Sequence, residues 1–182
     1  MPKLVLIEGL PKYENVNEAK AITLALEIMK KEIDGRRARH LKIIPHTAET
    51  KRDFMRWLEK DTDFLHISAH GESKKGQTIL NITRNATITP DEIVDLDIKA
   101  RVIFINACQQ SRKDMAYAFL DSRNAKKRYF IAPHKDVPFD EAFIIALYFY
   151  RKAFLNKSKN LSKALNYVYH LKDIKTNYFL WE

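Results

Sequence analysis

Five short apolar runs punctuate this chain, each followed by a stretch long enough for a helix, and that alternation limits the folds open to it. Leu4–Ile7, Leu41–Ile44, Phe64–Ile67, Val102–Ile105 and Tyr129–Ile131 are too short to be helices and rich in the branched and aromatic residues that strands favour. The segments between them carry helical signals. From Val16 to Ile33 the apolar positions Ile22, Leu26, Met29 and Ile33 recur at helical spacing, with Asn15 or Asn17 available as cap. Thr50 with Asp53 opens a helix bearing Phe54, Trp57 and Leu58, and Thr89-Pro90-Asp91-Glu92 combines a cap, a proline at the first helical position and a capping-box glutamate. Ser111 with Asp114 caps a helix carrying Met115, Ala118 and Phe119. Asp140 caps one reaching about Asn156, and Ser162 another with Leu165, Val168 and Tyr169. Ile79–Ile82 and Ala86–Ile88 read as two short β pieces after the third run. Strands joined by helix-length crossovers predict an α/β fold, a mainly parallel sheet with helices on both faces.

Four glycines, six prolines and no repeat leave no linker, so residues 1–182 read as a single domain. No stretch approaches the roughly 18 apolar residues of a membrane span, and the opening Met1–Glu8 is too short and too soon acidic for a signal peptide. One cysteine, Cys108, excludes an intrachain disulfide framework. A soluble, cytoplasmic protein is the expectation. The charge is uneven: residues 1–100 hold 17 basic and 16 acidic residues, residues 101–182 hold 15 and 7. An acidic partner would suit the second part, although a lysine-rich solvated surface explains the same numbers. Neither a zinc-finger spacing nor an aromatic-interleaved RNA-recognition signature accompanies it, so nucleic acid is not the favoured partner.

In such a sheet the functional groups collect beyond the carboxyl ends of the strands. His70 follows the third run and Cys108 the fourth. If those strands are neighbours, imidazole and thiol come within reach of one another, and an imidazole can raise the thiolate population and later protonate a leaving amine. A helix start just after Cys108 would also favour thiolate. Gly71 lets a substrate carbonyl approach without a Cβ in the way, and its N–H with that of Cys108 could form an oxyanion hole. Taken singly, a lone cysteine is most often a small buried hydrophobe and a lone histidine a structural hydrogen-bonder. Their matched placement at two strand ends singles out the pair. His66, inside the third strand, is expected to pack in the sheet. His40, His46, His134 and His170 show no ligand spacing with one another or with Cys108, so neither a metal nor another cofactor is expected.

These residues resemble a known family. Phe64-Leu65-His66-Ile67-Ser68-Ala69-His70-Gly71 is similar to the histidine–glycine signature of caspase-like (clan CD) cysteine peptidases, and Val102-Ile103-Phe104-Ile105-Asn106-Ala107-Cys108-Gln109-Gln110-Ser111 to their strand-then-cysteine motif. The rest of the match resembles the CHAT-domain branch: Ile79–Ile82 and Thr89–Leu96 between the motifs, then Phe130-Ile131-Ala132-Pro133, Val137–Asp140, Phe149-Tyr150 and Ser162-Lys163-Ala164-Leu165. The resemblance spans roughly residues 60–170. It departs at Asn106-Ala107-Cys108, where the branch has Ser-Ala-Cys, and at His134-Lys135-Asp136, which lacks its Trp-Pro.

The resemblance implies a three-layer sandwich around about six strands, with Cys108 as nucleophile, His70 as general acid and base, and Gly71 as oxyanion donor. Relatives of this branch read a basic residue before the scissile bond with an aspartate, and Asp136 or Asp140 could serve; Asp140 also sits where a helix cap belongs. The implied activity is that of a cysteine endopeptidase cutting a partner protein in a prokaryotic antiviral-defence or regulated cell-death pathway. Control would come from a separate activator or sensor protein, from self-cleavage, or from the loops at Ser73–Asn85 and Arg123–Arg128, both rich in basic cleavage sites. The alternative is a non-catalytic caspase-like module whose basic half holds an acidic protein or nucleic acid; a non-peptidase thiol hydrolase is a third reading.

Overall fold

A computed structural model describes residues 2–9, 17–32, 41–74, 76–83, 85–123, 127–155, 163–164, 166 and 178–182. Each predicted apolar run is a strand: β1 (Lys3–Gly9), β2 (Lys42–Thr47), β3 (Phe64–Lys74), β6 (Val102–Asn106) and β7 (Tyr129–Pro133). Between β3 and β6 come β4 (Gln77–Thr83) and β5 (Ala86–Ile88), and a last strand, β8 (Tyr178–Trp181), closes the chain. The main sheet runs β2-β1-β3-β6-β7-β8, parallel throughout except for β8, which is antiparallel to β7. β2 runs on through Pro45 because it lies at the edge of the sheet, where a missing ladder N–H is tolerated.

Two apolar layers cover the sheet, as alternation along the strands requires. On one face Leu65, Ile67, Ile103 and Ile105 meet Phe54 and Leu58 of α2 (Lys51–Leu58), Ile93 of α3 (Pro90–Val94) and Met115 and Phe119 of α4 (Lys113–Leu120). On the other, Leu4, Leu6 and Phe104 meet Ile22 and Leu26 of α1 (Glu18–Glu32) and Ile145, Phe149 and Tyr150 of α5 (Phe139–Tyr150). The result is the expected three-layer α/β sandwich.

Helix starts follow the sequence where a cap bond is available. Asn17 Oδ1 accepts the Lys20 N–H at 2.7 Å, Thr50 Oγ1 that of Asp53 at 3.1 Å, and the Glu92 carboxylate that of Thr89 at 3.1 Å. Two expected caps are not caps. α4 begins after Arg112 and not after Ser111, whose hydroxyl accepts the Trp181 indole N–H at 2.8 Å, while Asp114 accepts both the N–H and the hydroxyl of Thr78 on β4. α5 begins after Pro138, which leaves Asp140 in its first turn, and beyond Tyr150 the chain widens into a π turn at Arg151–Leu155. Ser73–Asn85 is mostly paired strand rather than loop: β3 leaves the main sheet after Ala69 and pairs antiparallel with β4, with Gly76 at φ 83° in the turn. Asn15, Ile33, His40, Asn156, Ser162, Leu165, Val168, Tyr169, His170 and residues 124–126 lie outside the described residues.

Candidate active site

β3 and β6 are adjacent and parallel, in a register that pairs Ser68 with Asn106. Two residues beyond that last pair, His70 sits where β3 has turned to pair with Asn81 of β4, and Cys108 sits in the turn that follows β6, both beyond the carboxyl end of the paired strands. His70 is exposed and Cys108 half-buried. Gly71 packs against the cysteine turn: a Cβ there would fall inside the contact shell of the Cys108 carbonyl oxygen, 2.9 Å from its carbon and 2.5 Å from Gln110 Nε2. Only glycine fits so close an approach of two backbones.

The turn after the nucleophile candidate is held from the opposite side by the segment between β7 and α5. Gln109 adopts a left-handed φ of 59°, and its N–H donates to the Lys135 carbonyl at 3.3 Å. Its side-chain amide donates to Asp136 Oδ1 at 2.9 Å, and the Ser111 N–H donates to the Pro133 carbonyl at 2.8 Å. The Cys108 thiol points at the Val137 carbonyl, 3.9 Å away. Against the next residue of the turn opens a shallow cavity of about 490 Å³ lined by Gln109, Arg112, His134, Lys135 and Asp136.

The electrostatics differ from the sequence expectation. α4 starts five residues past Cys108, too far along to act as the helix start that would favour thiolate. Burial pushes the Cys108 thiol above its ordinary value, and the nearby Asp136 carboxylate pushes it further. Of the two acidic candidates, Asp136 is therefore the one at the thiol. Asp140 is exposed one helical turn further on.

Beneath the pair lies a buried polar network that the sequence did not disclose. Asn106 Nδ2 donates to the Ala142 carbonyl at 3.0 Å and to the Glu18 carboxylate, and its Oδ1 accepts from the Tyr178 hydroxyl at 2.6 Å. His66, fully buried as expected, has Nδ1 2.8 Å from the Tyr150 hydroxyl and Nε2 3.0 Å from Ser68 Oγ. Glu8 accepts the Ala19 N–H at 3.0 Å. The network joins β1, β3, β6, α1, α5 and β8 two residues below His70 and Cys108. His46 pairs with Asp53 at 2.6 Å and stacks on Trp57, and His134 Nδ1 lies 3.2 Å from the Ser111 carbonyl. Among the described residues no three His, Cys, Asp or Glu side chains are grouped to hold a metal ion, and no helix is long and apolar enough to cross a membrane.

No protein-family model matches the sequence, and no curated protein matches it. Among solved structures the chain is similar to the Drosophila initiator caspase Dronc, with a TM-score of 0.59 over 99% of this chain and 79% of that one, at 9% sequence identity. The fold is caspase-like.

Proposed function

We propose that this chain is a cysteine endopeptidase of the CHAT-domain type, with His70 and Cys108 as its dyad. The observation that supports this most is the close approach of Gly71, the residue after His70, to the Cys108 backbone at the ends of the neighbouring parallel strands β3 and β6. In the reaction, the Cys108 sulfur attacks the carbonyl carbon of a peptide bond as thiolate, its proton passing to His70. The N–H groups of Gly71 and Cys108 stabilise the oxyanion of the tetrahedral intermediate. Collapse breaks the C–N bond, and His70 gives its proton to the departing amine. Water, deprotonated by His70, then hydrolyses the thioester and returns the thiol.

Asp136 is the better candidate to read a basic side chain before the scissile bond, because it borders the cavity at the cysteine turn; Asp140 is the second. A guanidinium there would meet the carboxylate and offset the charge that adds to burial in raising the thiol. The raised thiol suits a resting enzyme that acts when substrate or a separate activator arrives. The setting we propose is a cytoplasmic defence or cell-death pathway in a prokaryote, with a partner protein as substrate.

The excess of basic residues after position 100 favours a second reading, a binding module for an acidic protein or nucleic acid. Acyloxymethyl ketone probes carrying Arg, Lys or Asp next to the warhead separate the two. The peptidase reading predicts an adduct on Cys108 with the basic probes, absent in His70→Ala. No adduct, even in lysate of the native host, together with steeply salt-dependent binding that survives Cys108→Ala, would establish the module.

A further inference from the structure

Gln110 is fully buried beside the thiol, and no step of the reaction above uses it. Its side-chain Nε2 donates to two backbone carbonyls, that of Cys108 at 3.0 Å and that of Ile79 at 3.1 Å. Both partners are acceptors, so the amide sits with its nitrogen toward them. Ile79 lies on β4 opposite Glu72, the residue after Gly71. One nitrogen therefore ties the turn that carries the thiol to β4, the hairpin arm that pairs with the one carrying His70 and Gly71. Holding the Cys108 carbonyl also fixes the plane of the Cys108–Gln109 peptide. The N–H of that peptide donates to Lys135, so the segment between β7 and α5 is set by the same plane.

Two locally unfavourable features flank the thiol. Gln109 takes a left-handed conformation that a side chain disfavours, and Gln110 Oε1 is buried with no donor among the described residues. A methionine would fill the same space without burying an unpaired oxygen. Such departures from local preference concentrate where geometry is in use.

We propose that Gln110 is a positioning residue: its amide clamps the Cys108 carbonyl to the β3–β4 hairpin and thereby sets His70 and the Gly71 and Cys108 amides relative to the thiol. The catalytic consequence rests on the peptidase reading; the clamp itself does not.

Gln110→Met keeps the length of the side chain and removes both donors and the orphaned oxygen. In the whole chain it is expected to melt cooperatively and to label with the Arg acyloxymethyl ketone about tenfold more slowly than wild type. Iodoacetamide needs a thiolate but no aligned histidine or oxyanion donors, so its rate on Cys108 is expected to stay within about threefold. Amides of residues 70–82 should exchange with deuterium about tenfold faster, because the hairpin has lost its tie. If Gln110→Met does not fold, Gln110→Asn, too short to reach both carbonyls, takes its place with the same expectations. Ketone labelling at the wild-type rate, or an equal loss with both reagents, overturns the positioning role. If wild type itself takes no ketone label, exchange alone decides the clamp, whatever the lysate test says of the peptidase reading: faster exchange in 70–82 keeps the clamp, and unchanged exchange overturns it.

Discussion

Asp136 puts a negative charge beside a sulfur that must ionise to react. The charge is exposed, so water screens part of it, but Gln109 holds it in place through a 2.9 Å hydrogen bond. Asp136→Asn removes the charge and keeps an oxygen for that bond. The thiol's titration then moves to lower pH, and at neutral pH the thiolate fraction rises. Iodoacetamide rates measured across pH report the shift directly; an unmoved profile would show that burial alone sets the thiol. The same variant should lose its preference for the Arg probe over a neutral one, if Asp136 is the reader. Gly71 is constrained differently. A methyl group there collides with the Cys108 carbonyl and the Gln110 amide, neither of which is a flexible tip free to swing away. Gly71→Ala is expected to cost about 1–3 kcal/mol of stability in urea melts, the range of overpacked sites. A melt indistinguishable from wild type would mean that the two backbones are not so close.

At the scale of elements, what was legible in the sequence was local. Thr50, Thr89 and Asn17 cap helices whose first N–H groups lie within three residues, and the five apolar runs become strands because each sets side chains against both apolar layers, only partly buried on the edge strand β2. His70 and Cys108 were singled out on equally local grounds, each following an apolar run. What stayed hidden depends on distant partners. Asp114 has the spacing of a cap but serves Thr78, 36 positions away, and Glu18 meets Asn106 across 88 positions. β8 was missed as well. Its four residues make a strand only because β7 offers an open edge and Trp181 donates its indole N–H to Ser111 Oγ at 2.8 Å. The Tyr178 hydroxyl anchors β8 to Asn106, directly below the cysteine turn. Tyr178→Phe leaves the buried Asn106 Oδ1 without that donor, at an expected cost of about 1–3 kcal/mol. Urea midpoints should fall with an unchanged slope. A changed slope would instead mean that β8 detaches and the folded state opens.

For the whole molecule, net charge describes less than its distribution. Arg128 belongs to the basic second part, yet it is buried and spends its donors on the carbonyls of Phe119 and Ser122 at 3.2 Å and on that of Ile98. It staples the end of α4 and is lost to any acidic partner. The buried acidic groups of the first part carry a global consequence of their own. Glu8 sits 3% exposed at the end of β1, where burial, with the neighbouring Glu18 carboxylate, pushes its pKa up to about 7 against the Ala19 hydrogen bond that opposes the rise. In the unfolded chain the same group titrates near its ordinary 4.5. Between these values the folded protein holds a proton that the unfolded chain has released, so raising the pH through this window destabilises the fold. The loss is on the order of 3 kcal/mol for a shift of this size, fully developed only above the folded value. Glu8→Gln cannot ionise and keeps a carbonyl oxygen for the Ala19 N–H. Its stability relative to wild type should therefore climb by roughly that 3 kcal/mol as urea melts are moved from about pH 4.5 to 8. Taking the difference between the two proteins cancels the titrations of groups that do not interact with Glu8. A difference that stays flat with pH would mean that Glu8 is ionised in the fold and is held there by the network around Glu18, Asn106 and Tyr178.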